Sequence, residues 1–388
     1  MDIKYLPIFF LPLGCIGIGS IFQAIAVIIF LYSYFYKKFK FVFKDYFSNQ
    51  IVKYSFLFFC IWIIGLGISD FISKGTIKES WNIFQRILPF VLVGLFALKD
   101  EKFFKYAWIG LTISLLIIDV NVIYSFYLQD HWRPITMFNS PNRLGAILIL
   151  LLPFSYAGLH KFRDSYNLSL FGIITFILGI LSLFISGSRG ALLGLIGAVF
   201  ICFMIINYKI NSAKKFIINT CCFGTIVLFI AFVLYYIFPE MIHRSYDMER
   251  IYLWQSALKM FLDYPITGVG AGNFNEVYLN GYISSFAREP GLRTPHNIFL
   301  WYLSERGIVT TLPFVFFIGY QIYIFSKNVL KETKDVNIWC CCGLIICLGM
   351  VIHGMIDTMM NNRTYQLLYW FLYGIACYSI VYEESKND

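Results

Sequence analysis

Again and again this chain runs for about 20 residues with almost no charge, as in LSLFGIITFILGILSLFIS. About 20 apolar residues wound as a helix cross the hydrocarbon core of a bilayer. Strands of a membrane barrel would alternate apolar and polar residues, and these runs do not, so the spans are expected to be helices. Composition agrees. The 388 residues are 59% hydrophobic and 14% charged, with a mean hydropathy of +0.70, which excludes a soluble domain of this size.

The hydropathy pattern predicts an all-α polytopic membrane protein of about 12 spans, at about 5–14, 18–36, 51–69, 83–98, 104–128, 143–159, 168–186, 190–207, 216–238, 307–326, 337–357 and 364–382. The first is short, and Pro12 and Gly14 can break it. No cleavable leader is expected, the first apolar run serving as an anchor. Residues 1–388 read as one integral membrane domain, with 239–306 a large polar loop between the ninth and tenth spans. The ten cysteines all fall in apolar runs. They show neither zinc spacing nor a disulfide framework and read as small buried hydrophobes.

Charge sets the expected orientation. The link after the second span, KKFKFVFKDYFSNQIVK, is lysine-rich, and alternate links thereafter also bear lysine. Placing these links in the cytoplasm follows the positive-inside rule. It puts 17 of the 20 lysines and both termini inside and 10 of the 11 arginines at the outer face. The net charge of +9 is thereby a topological signal, and no basic soluble domain is left to bind nucleic acid. The arginine bias runs against the insertion signal and needs another cause. A guanidinium is a planar fork that binds phosphate and keeps its charge when partly buried. An outward arginine cluster therefore points to a phosphate-bearing ligand; solvated loop arginines are the alternative.

Candidate site residues lie at that outer face. Ser186-Gly187-Ser188-Arg189-Gly190 is a tight turn that holds Arg189 at the membrane edge, either as an arginine that snorkels or as a ligand-facing cation. Arg133, Asn142 and Arg143 precede or open the sixth span, whose helix is expected to start at Ser140 or Pro141. In the long loop, Arg244 precedes a predicted helix from Asp247 that carries Arg250 in its first turn. Its apolar stripe Ile251, Trp254, Leu258 and Phe261 suggests packing on the bundle top or on the membrane interface. Gly268, Gly270 and Gly272 follow; with no βαβ unit they read as a sharp reversal or a backbone nest for an anion. Arg288 and Arg293 come next. Thr294-Pro295-His296 then reads as a capped helix start that favours a neutral imidazole at His296, a competent base near neutral pH. His353 and Asp357, four apart at the end of the eleventh span, are either a partner for the site or a structural pair. Asp119 is expected to pair with Arg86. Asp247 and Glu249 alone are too weak a motif for a metal.

Several of these stretches carry a family resemblance. RIYLWQSALKMFLDYPITGVGAGNF and HNIFLWYLSERGIVT, with SGSRGALLGL and FNSPNRLGAILILLLPF upstream, resemble the core of the O-antigen ligase and polymerase superfamily. His296-Asn297, Gly307 and Thr310 resemble the ligase signature in particular. The resemblance implies a GT-C-like membrane glycosyltransferase of the bacterial inner membrane, with its site on the periplasmic side. It would move a glycan from undecaprenyl diphosphate to a sugar hydroxyl of lipid A–core, with no cofactor and no metal. By the same resemblance, Arg189 and Arg250 would hold the diphosphate and His296 would be the base. An O-antigen polymerase is the nearest alternative; a polysaccharide transporter or flippase is the alternative from another class.

Overall fold

The computed structural model describes residues 2–17, 21–73, 75–129, 133–237, 247–287, 294–330 and 335–387. Among these the structure is helical, with no strand. In chain order the helices are α1 (Leu6–Cys15), α2 (Ile21–Phe35), α3 (Phe43–Ser48), α4 (Gln50–Ile72), α5 (Ile77–Gln85), α6 (Leu88–Phe96), α7 (Lys102–Gln129), α8 (Pro141–Lys161), α9 (Tyr166–Ile185), α10 (Arg189–Ile210), α11 (Ala213–Ile237), α12 (Asp247–Asp263), α13 (Phe274–Val277), α14 (Ile298–Asn328), α15 (Ile338–Gly354) and α16 (Arg363–Asn387). Six of them, α4, α7, α8, α9, α10 and α14, are long and apolar enough to cross a membrane. The chain is a polytopic membrane protein.

The helix faces show which solvent they meet. On α9 four of the five buried positions are small or polar (Gly172, Thr175, Gly179, Ser182; the fifth is Leu183), while Ile173, Ile174, Ile177 and Leu181 are exposed. A water-soluble helix would reverse this pattern. Lipid tails are as apolar as leucine, so what holds such helices together is close approach between small residues. The α10–α15 pair shows how close: a Cβ on Gly194 would lie 3.2 Å from His353 Cβ, and one on Gly190 3.2 Å from His353 Cδ2. At the α4–α14 contact, a Cβ on Gly65 would meet the Val309 carbonyl oxygen at 2.5 Å. α16 lies at the centre, buried without interruption from Tyr365 to Tyr382.

Three expected elements are revised. The run at 83–98 is divided into α5 and α6, with Arg86 and Ile87 between them. Pro89 lacks an N–H, and its ring would clash with the carbonyl of Gln85, so one helix cannot pass through. The predicted tenth span begins at Ile298 instead of 307, and the helix continues across a kink at Gly307 (φ 62°, ψ −167°). Finally, α12 buries Leu253, Ala257 and Met260 against Phe274 and Tyr278, leaving Ile251 and Leu258 of the predicted stripe exposed. The surface that returns along the chain at 274–278 selects the face, and size alone does not.

The kink at Gly307 is a junction. The N–H groups of Ile308 and Val309 donate to the carbonyls of Pro265 and Ile266, and those of Val269 and Gly270 donate to Ser304 and Glu305. Gly268, Gly270 and Gly272 all take positive φ, which lets this backbone lie flat against α14. The glycine nest has an anion from its own chain. Glu305 accepts from the N–H of Gly272 at 3.1 Å and of Phe274 at 3.3 Å. Beside it, buried Arg306 pairs with buried Asp70 of α4 and, at 3.2 Å, with Glu79 of α5. Ser80 donates to the same Asp70 carboxylate.

Candidate active site

The site is assembled at the end of the bundle where α8, α10, α14 and α16 begin and α15 stops. Ser188 caps α10, its hydroxyl accepting from the N–H of Ala191 at 3.3 Å, and Gly187 turns the chain at φ 54°. This places Arg189 on the first residue of α10. Ser140 precedes α8, whose first three residues are Pro141, Asn142 and Arg143.

His296 departs from its expected place. It lies outside the helix, at φ 51°. The N-cap is Asn297, whose side-chain oxygen accepts from the N–H groups of Phe299 and Leu300. His296 thus stands two residues before α14, just outside its N-terminus. Its immediate neighbour is a carboxylate: His296 Nδ1 lies 3.1 Å from Asp357 Oδ1. The His296 side chain is 27% exposed and that of Asp357 6%, so the ring faces the open site and the carboxylate stands behind it. Positive φ is uncommon for a residue with a side chain and marks a constrained position. Here the constraint is visible on both flanks. Thr294 hydrogen-bonds Thr358 through their hydroxyls at 3.1 Å, and Asn297 donates to the Met355 carbonyl at 3.1 Å.

From Asp357 a chain of hydrogen bonds runs across the site. Asn142 Nδ2 donates to Asp357 Oδ2 at 2.8 Å, and Arg133 Nη2 donates to Asn142 Oδ1 at 3.0 Å. Arg133 Nε also donates to the Ser186 carbonyl, tying this loop to the turn that bears Arg189. Burial, followed by the like charges of Arg189 and Arg250, pushes the Arg133 guanidinium below its ordinary range. Three arginines so arranged repel one another, and an anion between them would relieve the repulsion. Arg250 arrives from α12. Four residues on, Trp254 Nε1 donates to the Pro295 carbonyl at 2.9 Å, so this face of α12 is fixed against the segment bearing His296.

The structure thus brings together Arg133, Asn142, Arg189, Arg250, His296 and Asp357. His353 is buried against Gly190, beside Arg189, on the helix that ends before Asp357. Arg143 is half-buried in the first turn of α8, one residue beyond Asn142. Arg244, Arg288 and Arg293 lie outside the described residues. The expected Asp119–Arg86 pair does not form: Asp119 accepts from Ser182 at 2.6 Å, and Arg86 donates to the Asn361 carbonyl at 3.1 Å. Sequence reasoning missed the Glu305 and Arg306 junction. The signal was present, since Asp70 and Arg306 are charges at the ends of apolar runs and such charges need partners.

Known proteins bear on this arrangement. Residues 174–315, which include the Arg189 turn, α12, the glycine loop, His296 and the Gly307 kink, match the family model described as O-antigen ligase. The chain is also similar to an uncharacterised protein of Haemophilus influenzae, 25% identical over 95% of this chain and 94% of that one. A second relative is the teichuronic acid biosynthesis protein TuaE of Bacillus subtilis, 22% identical over 83% of this chain and 71% of that protein. The arginine turn, the helix bearing Arg250 and the histidine segment thus fall within one stretch, residues 174–315, that matches the O-antigen ligase family model.

Proposed function

We propose that this protein is a membrane glycosyltransferase of the ligase and polymerase type, and that it transfers a glycan from undecaprenyl diphosphate to a sugar hydroxyl of lipid A–core. The observation that carries the reading is the His296–Asp357 contact at 3.1 Å, set beside Arg133, Arg189 and Arg250. With Asp357 accepting from Nδ1–H, the ring presents Nε2 as a base. The acceptor hydroxyl oxygen attacks the anomeric carbon and gives its proton to His296. The new glycosidic bond forms as the bond from carbon to the phosphate oxygen breaks, and the diphosphate leaves with the electron pair. Arg189 and Arg250, seconded by Arg133, neutralise the charge developing there, so no metal is required for that task. A single displacement inverts the anomeric centre. Arg143, and the loop arginines Arg244, Arg288 and Arg293, are further candidates to bind substrate.

In this reading the chain crosses the inner membrane twelve times with both termini in the cytoplasm. Residues 239–306 and the site then face the periplasm, as the lysine distribution favours. The relative named for teichuronic acid biosynthesis favours a second reading, in which the acceptor is another lipid-linked glycan. Reconstitution of the purified protein with lipid-linked glycan and lipid A–core decides among these. Transfer to lipid A–core that vanishes in His296→Ala supports the ligase. Transfer only to a second lipid-linked glycan establishes the polymerase. Undiminished transfer by the variant removes His296 as the base. A protein that moves lipid-linked glycan across the membrane and transfers none would be a flippase.

A further inference from the structure

A second arginine pair lies at the same end of the bundle and has no part in the chemistry above. Arg86, in the break between α5 and α6, and Arg363, at the start of α16, line a cavity of about 680 Å³. The two guanidinium groups are close enough to repel each other. Arg86 spends one N–H on the Asn361 carbonyl, and Arg363 is exposed. Glu79, a carboxylate that acts on Arg86, is bound to Arg306 at 3.2 Å. Gln85 adds an amide to the polar side, whereas Phe56, Val91 and Leu367 make apolar walls. Phe56, on the membrane-spanning helix α4, is exposed, as is Leu88 at the start of α6.

Two clustered arginines call for a bidentate, multiply charged oxyanion. Apolar walls beside them, on helices that meet lipid, call for an acyl chain on the same molecule. We infer that the Arg86–Arg363 cavity binds the phosphate of a membrane lipid, with the acyl chains lying along α4 and α6. That phosphate has two sources, a bulk anionic phospholipid or a phosphorylated glycolipid acceptor. The second source rests on the transferase reading; the binding itself does not. The segment 355–363 links the two places. Asp357 touches His296 and Asn361 touches Arg86, so a lipid held here is a neighbour of the candidate site.

The test uses the full-length protein in phosphatidylcholine nanodiscs and needs no catalysis. A photoactivatable phosphatidylglycerol is expected to label peptides containing residues 82–91 and 363–367, and the matching phosphatidylcholine probe is not. Arg86→Gln/Arg363→Gln is expected to cut that labelling roughly tenfold, as loss of two charge-assisted contacts implies, while Arg250→Ala leaves it intact. Unlabelled competitors then separate the sources. Displacement at lower concentration by a phosphorylated glycolipid marks an acceptor site, and displacement at lower concentration by phosphatidylglycerol marks a bulk-lipid site. Wild-type labelling spread evenly over the bundle, or equal for both probes, overturns the inference even if the double variant fails to fold. Undiminished labelling of a folded double variant also overturns it.

Discussion

Asp357 receives hydrogen bonds on both carboxylate oxygens, with His296 Nδ1 3.1 Å from Oδ1 and Asn142 Nδ2 2.8 Å from Oδ2. Burial would push this carboxyl up. The hydrogen bond and charge of His296, the charge of His353 and the N–H of Thr358 outweigh burial and hold it at about 2. A carboxyl lowered in the folded state lends stability that is complete above the ordinary aspartate value of about 4 and is lost as pH falls through the folded value. The melting temperature of the wild type in detergent should therefore drop more steeply between pH 4 and 2 than that of Asp357→Asn. Parallel curves would show that the carboxylate contributes nothing to folding.

The same contact makes a kinetic prediction. If Asp357 orients the ring, Asp357→Asn allows the wrong tautomer. It should then lower kcat by about a hundredfold or more with little change in the KM for donor. A variant that alters only the donor KM would mean that Asp357 serves binding instead of the base.

Arg189→Ala and Arg250→Ala are each expected to lower kcat/KM for the diphosphate donor by about 10²–10³. Lysine at either position should recover only part of this, because a point charge cannot reproduce the planar fork. Transfer rates measured across donor concentrations would expose the error if alanine and wild type coincide.

Arg306 and Asp70 are each about 1% exposed. Arg306→Leu strands a buried carboxylate and should cost about 3–5 kcal/mol. Arg306→Leu/Asp70→Leu should recover much of that loss, since it removes both charges together. Thermal unfolding of the two variants measures the difference, and equal losses would mean that the ion pair is not the cause.

Gly307 has φ 62° and ψ −167°, a region essentially reserved for glycine, and a Cβ there would strike the Ile266 carbonyl. Gly307→Ala should destabilise the protein by at least about 2 kcal/mol and loosen the glycine loop from α14. Faster proteolysis near Gly268, at unchanged cleavage elsewhere, is the readout. An unaltered digestion pattern counts against the junction.

The sequence made the helical membrane architecture legible because hydropathy is a local property and the bilayer fixes the length it must cover. It also placed Arg189, Arg250 and His296 at one end of the bundle, because alternation of the lysine-bearing links sorts loops by side. What it could not supply were contacts across the chain. Asn142 reaches Asp357 over 215 residues and Arg306 reaches Asp70 over 236, and no spacing rule encodes either. The start of α14 was misplaced because Thr294-Pro295 is good capping chemistry, but Asn297 also caps, and its bond to Met355 decides between them. The buried face of α12 went unread for a similar reason: its partners, Phe274 and Tyr278, lie on the far side of a glycine turn.

α16 is buried from Tyr365 to Tyr382 yet follows every other helix described in the chain. Its neighbours, among them α6, α8 and α15, therefore enclose a slot that stays unfilled until residues 363–387 have been made. Tyr369 and Tyr378 of α16 meet their hydrogen-bonding partners, Gln321 and the Leu98 carbonyl, only once this helix is in place. A chain stopped before Arg363 would leave the faces of α6, α8 and α15 that pack on α16 uncovered, a target for membrane quality control.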